Sequence, residues 1–136
     1  MSYDEELMYN LTLSKEQLRV VNNALELLVR MGLGQIHTAV DLCYLFQTKD
    51  PKKVKELCDE LQKELTGFEG GASWGIHSKE ISEDYRVACD IEQVIRHQIH
   101  NDLPEETKQK LRYTVSAYPA HRTSTTEKLP KIEKSL

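Results

Sequence analysis

Long apolar runs are missing from this sequence. No stretch approaches the roughly 20 residues that a helix needs to cross a bilayer, so no membrane contact is expected. The first residues, MSYDEELMYN, are acidic and lack an apolar segment, so no secretory leader is expected. Positive charge is short: 18 Lys and Arg stand against 22 Asp and Glu, a net charge of −4. That balance disfavours a broad electrostatic grip on nucleic acid. Cysteine is scarce, with Cys43, Cys58 and Cys89 far apart and in no CxxC pair. Cys43 and Cys58 fall on apolar stripes of predicted helices and read as small core residues in a reducing cytoplasm. HExxH, DxD, GxGxxG and clustered Cys/His patterns are absent, so no metal and no cofactor is expected. Aromatics make up only 7%, which suits one modest core in a single domain.

What remains is helical periodicity. Ser14 and Gln17 form a capping box, and Leu18, Val21, Leu25 and Leu28 follow on one helical face. That helix is expected to end at Met31-Gly32, with Gly32 left-handed at its C-terminus. A second helix is predicted over 35–46, reached by a tight corner at Gly32-Leu33-Gly34, with Ile36, Ala39, Val40, Cys43 and Tyr44 on its apolar side. A third runs over 51–65, capped by Asp50 with Pro51 at its first position, and its stripe is Val54, Leu57, Cys58, Leu61 and Leu65. A fourth begins at Ser82 and runs to His100-Asn101, with Val87, Ile91, Val94, Ile95 and Ile99 as its buried face. A short fifth follows Asp102, with Pro104 in its first turn and Leu111 and Val115 as its apolar residues. Residues 7–13 alternate apolar and polar, which fits an extended N-terminal arm. The predicted fold is all-α: four or five helices around one core over 1–117. Residues 118–136 lose the pattern and carry +2 against −6 for the rest. They read as a flexible basic tail, or as an arm that orders on a partner.

One segment departs from this plain chemistry. GFEGGASWGIH (67–77) holds four of the six glycines and the only tryptophan, between the third and fourth helices. Its glycines permit positive φ and backbone nests for an anion. Ser73 adds a hydroxyl, Trp74 a stacking surface and His77 a titratable donor. The helix N-terminus that follows also favours anions. A connection this long is unusual in a compact domain. The competing reading is a plain connection with Trp74 plugged into the core. Arg86 would be a phosphate fork if it faces this loop, and otherwise a surface ion-pair partner of Asp90. Arg96 and His97, near the end of the fourth helix, either reach toward the loop or stay on the solvent side. His97 and His100 form an HxxH pair, which would need His77 or Asp90 as a third metal ligand. Ser73, His77 and Asp84 would supply a hydrolytic trio, as would many trios in any chain of this size. The candidate ligand-binding set is therefore Ser73, Trp74, Gly75, His77, Arg86, Arg96 and His97, with no residue assigned a catalytic role.

LTLSKEQLRVVNNALELLVRMGLGQI (11–36) and GGASWGIHSKEISEDYRVACDIEQVIRH (70–97) resemble a family of small proteins of tailed phages. That family shares the order of helix start, R.G.GQ corner, S.GIH loop and D..QVIRH helix. The resemblance covers residues 11–100 and singles out Arg30, Gly32, Gly34, Gln35, Ser73, Gly75, Ile76, His77, Asp90, Gln93, Arg96 and His97. Trp74 stands where the family has a smaller aromatic. The resemblance implies a non-enzymatic accessory protein in the cytoplasm of an infected bacterium, which binds and inhibits or sequesters a host factor. Capture of a host protein and capture of a small anionic or nucleotide-type signal both fit, and so does an action against host defence. Short helices with exposed apolar ends point to a homo-oligomer. The alternatives are a small hydrolase or phosphodiesterase using His77 or His97, and a nucleic-acid-binding accessory protein using the tail and Arg96.

Overall fold

The computed structural model describes residues 7–43 and 49–135. Among them are five helices and one 3₁₀ turn, and no strand. They are α1 (Lys15–Gly32), α2 (Ile36–Leu42), α3 (Pro51–Thr66), α4 (Glu83–Asn101), α5 (Glu105–Lys110) and the turn Val115–Ala117. The all-α expectation therefore holds. The Ser14 hydroxyl accepts from the Gln17 N–H at 3.1 Å, and Gln17 Oε1 accepts from the Ser14 N–H at 2.8 Å. Asp50 caps α3 through the Lys53 N–H, and Ser82 caps α4 through the Asp84 N–H. The expected run of α2 through Tyr44 to Phe46 lies outside the described residues. Residues 7–14 have no regular structure, and Leu7, Tyr9 and Leu11 are exposed.

α1 and α4 run antiparallel. Gly32, at the end of α1, meets Tyr85 at the start of α4, while Asn22 lines a cavity with His100. Val29 and Leu33 of this pair join Ile81 and Ala88 in the core, with Leu25, Trp74, Ile76, Tyr85 and Cys89 packed around them. Among the described residues no large side chain is fully enclosed. α2 turns off α1 and packs on α3. Gly32 is helical, contrary to expectation. The left-handed residue is Gly34, at φ 79°. Gly32 is small for another reason: a Cβ there would lie 2.3 Å from the Tyr85 ring.

The C-terminal segment also differs from expectation. Residues 121–127 lie along α4 instead of hanging free. Gln93 and the His121 backbone exchange two hydrogen bonds, at 3.0 and 3.1 Å. Asp90 accepts from the Thr123 N–H and hydroxyl, both at 2.8 Å, and from the Ser124 N–H at 2.9 Å. Glu83 Oε2 accepts from the hydroxyls of Ser124, Thr125 and Thr126 and from the N–H groups of Thr125 and Thr126. Glu83, Asp90 and Gln93 are spaced i, i+7, i+10, so one face of α4 carries the whole strap. With α1 and the 3₁₀ turn also packed on it, α4 has no exposed residue from Tyr85 to His100. It is the central element of the fold.

Four apolar expectations fail. Leu28, on the predicted inner face of α1, is exposed. Cys43 is exposed, although Cys58 is buried. Val115 and Leu111 are exposed. On α3 the buried line is Cys58 and Gln62, and Leu57, Leu61 and Leu65 remain 51%, 48% and 52% exposed.

Candidate functional site

The Gly-rich loop is anchored at several points. Trp74 donates its backbone N–H to the Leu33 carbonyl at 3.0 Å and packs its ring on the core. Phe68 meets it edge-on at 6.4 Å. Arg86 does face the loop, but its guanidinium donates to the loop's own carbonyls, Ile76 O at 2.8 Å and Ser78 O. Its remaining contact is Glu83, at 3.4 Å. A fork committed in this way clamps the chain and offers little to a phosphate. Ser73 Oγ accepts from Gln35 Nε2 at 3.2 Å, and Gln35 Oε1 accepts from Arg30 at 2.7 Å. Arg30, Gln35 and Ser73, all singled out by the phage resemblance, thus form one relay that pins the loop to the α1–α2 corner. His77 and Gly75 are exposed on the outer side.

Gln62 completes the anchoring and was not picked out from the sequence. It is only 4% exposed. Its Nε2 donates to Gly71 O and Ala72 O, both at 2.8 Å, and its Oε1 accepts from the Ile36 N–H at 3.1 Å. One amide therefore joins α2, α3 and the loop. The only available signal was a glutamine four residues after Cys58, on the same helical face.

Residues 71–75, GASWG, also match the GxSxG spacing of a nucleophile elbow. An elbow needs a strand before the serine and a helix directly after it. Here the loop follows α3, α4 starts ten residues after Ser73, and the serine hydroxyl is held by Gln35.

Between the loop, α2 and α3 lies a cleft of about 630 Å³. Gln35, His37, Thr38, Asp59, Lys63 and Ser73 are among its polar lining residues. Lys63 pairs with Glu69 at 2.9 Å, and that hydrogen bond raises the lysine's pKa. Ser73 is the only member of the predicted set that reaches this cleft.

Arg96 and His97 lie elsewhere. Ten residues separate Arg96 from Arg86, about 15 Å along α4. Arg96 pairs with Glu92 at 3.2 Å and lines a second cavity, of about 410 Å³, between α1, α4 and the segment after α5. His97 Nδ1 lies 3.0 Å from the Ser116 carbonyl and fixes the 3₁₀ turn. His100 lines the second cavity. Among the described residues no three His, Cys, Asp or Glu side chains converge as metal ligands. The structure thus splits the predicted set into a loop group and a distal group. No known protein family, curated protein or solved structure matches this chain.

Proposed function

We propose that the chain is a non-enzymatic accessory protein of the tailed-phage type, acting in the host cytoplasm, that binds and inhibits or sequesters a host factor. We further propose that this factor is a polypeptide and that it docks at the α2–α3 end. The observation that carries this reading is the ridge Leu57-Leu61-Leu65. Three leucines at i, i+4 and i+8 each stay about half exposed on one face of α3. The polar cleft borders the same helix through Lys55, Asp59 and Lys63. An apolar ridge beside a polar rim is the usual anatomy of a protein interface. The small-anion reading has less support, because the donors expected to grip a phosphate, Arg86 and Ser73, are engaged within the chain. The hydrolase reading also has less support: Ser73 is held by Gln35, and His97 Nδ1 is held at Ser116.

The test is recovery of the tagged protein from its host, followed by native mass spectrometry. Wild type is expected to carry a bound polypeptide that is lost in Leu57→Lys/Leu61→Lys, while the circular dichroism of the variant is unchanged. Recovery of wild type with no second polypeptide, or equal retention by the variant, would sink this reading.

A further inference from the structure

KELCDELQKELT (55–66) repeats one pair three times: Glu56-Leu57, Glu60-Leu61 and Glu64-Leu65. On α3 these pairs make two adjacent rows, and each row steps by four residues, about 6 Å along the axis. Both rows are exposed. Glu56 and Glu60 make no side-chain hydrogen bond or ion pair among the described residues, and Glu64 senses only Lys63. The two lysines of this stretch are engaged elsewhere, Lys55 with Asp59 at 3.9 Å and Lys63 with Glu69 at 2.9 Å. Residues 55–69 hold these two lysines against five carboxylates, Glu56, Asp59, Glu60, Glu64 and Glu69, a net charge of −3. Lys49, Lys52 and Lys53 gather at the opposite end of the helix, where they offset Glu56. The nearest of them stands roughly 10 Å along the axis from Glu60, about a Debye length, so Glu60 and Glu64 stay uncompensated. α2, which packs on α3, adds Asp41 and no Lys or Arg. The carbonyl end of α3 adds partial negative charge to the same region.

On the reading that a polypeptide docks at α3, we infer that its docking segment is a basic amphipathic helix, with an apolar row on Leu57, Leu61 and Leu65 and a row of Lys or Arg beside Glu60 and Glu64. Two rows at i, i+4 spacing accept two matching rows from a facing helix. Like charges four residues apart on one helix repel, and a cation set between Glu60 and Glu64 relieves both. An acidic segment would add to that repulsion. An extended segment would bury backbone N–H and C=O groups against a helix that offers no sheet edge to pair them, whereas a helix satisfies its own.

Two fluorescently labelled peptides serve as probes: an idealised helix of Leu and Lys with the leucines on one face, and its counterpart with Glu in place of every Lys. Binding to the full chain is followed by anisotropy at 150 mM salt. The Lys peptide is expected to saturate, and the Glu peptide to bind at least ~10-fold more weakly. Glu60→Lys/Glu64→Lys is expected to reverse that order. Leu57→Ser/Leu61→Ser is expected to weaken the Lys peptide at least ~10-fold at unchanged charge. Equal binding of both peptides to wild type, with both lost in the serine variant, overturns the basic helix and leaves polypeptide docking at α3 standing. No saturable binding of the Lys peptide overturns the basic helix as well, and recovery from the host then decides polypeptide docking separately. Binding undiminished in the serine variant, or an order unchanged by charge reversal, also overturns it. A chain dimer at 100 µM that the Lys peptide fails to dissociate does the same and gives the ridge to a second copy. The comparison of the two peptides uses wild type only, so it decides the matter even if the variants fold poorly.

Discussion

At Gly34 the backbone stands at φ 79°, and a Cβ there would lie 2.4 Å from Thr66 Cγ2. A side chain would meet both left-handed strain and a clash with α3. Gly75 has neither constraint: its φ is not positive and nothing lies within 4 Å of a Cβ. Both glycines belong to the phage resemblance, and they respond differently to alanine. Gly34→Ala is expected to lose about 2–4 kcal/mol in urea unfolding, and Gly75→Ala less than about 0.5. Equal losses would show that the corner is not packed as described. The sequence pointed to the corner but chose the wrong glycine. Helix-ending rules see only the chain, and what requires Gly32 to be small is Tyr85, more than fifty residues away. Gln62 was missed for a related reason. A glutamine in a charged helix reads as solvated until its backbone partners on α2 and the loop are known.

The elements themselves were legible wherever caps and stripes agree, as at Ser14, Asp50 and Ser82. The strap was not legible, because its binding energy is polar and its partners lie on a helix 28 or more residues earlier. Thr123, Ser124, Thr125 and Thr126 have no apolar periodicity, yet their donors fit Asp90 and Glu83. Glu83 gives this contact a pH signature. Burial pushes its carboxyl up, but the hydrogen bonds from Ser124, Thr125 and Thr126 outweigh burial and hold it at about 2. Its folded pKa lies below the unfolded value of 4.5, so the strap is fully stabilised above about pH 4.5 and loosens as pH falls toward 2. Glu92 works in the opposite sense. Burial raises its pKa, so its contribution is complete below 4.5 and is lost as pH rises through the raised value. A melting curve would mix the two effects. Hydrogen-exchange protection of the Thr125 and Thr126 amides reads Glu83 alone. Protection is expected to be constant from pH 7 to 5 and to fall by pH 2.5. In Glu83→Gln it should already be reduced at pH 7. Protection that ignores both changes would mean that Glu83 does not hold the strap.

For the whole molecule the question is how much surface remains uncovered. The chain exposes 10,329 Å². A folded monomer of its mass exposes roughly 7,300 Å². The difference, about 3,000 Å², exceeds the roughly 1,600 Å² buried by a standard interface. Some of it belongs to the extended segments, including Leu7, Met8, Tyr9 and Leu11. Exposed apolar side chains also lie on the helices. Val20, Leu28 and Met31 form an exposed stripe on α1, and Leu57, Leu61 and Leu65 form one on α3. In the sequence Leu28, Leu57, Leu61 and Leu65 counted as core, since periodicity finds apolar faces without saying which molecule covers them. If a second copy covers them, stability must depend on concentration, because association stabilises the folded state by mass action. The melting temperature is then expected to rise between 1 and 100 µM, with sedimentation giving more than one chain at the upper end. Leu57→Lys/Leu61→Lys should remove both effects without lowering the melting temperature at 1 µM, where the monomer dominates and these side chains already face water. A melting temperature independent of concentration, with a single sedimenting chain at 100 µM, would rule out self-association and leave the α3 ridge to a foreign polypeptide.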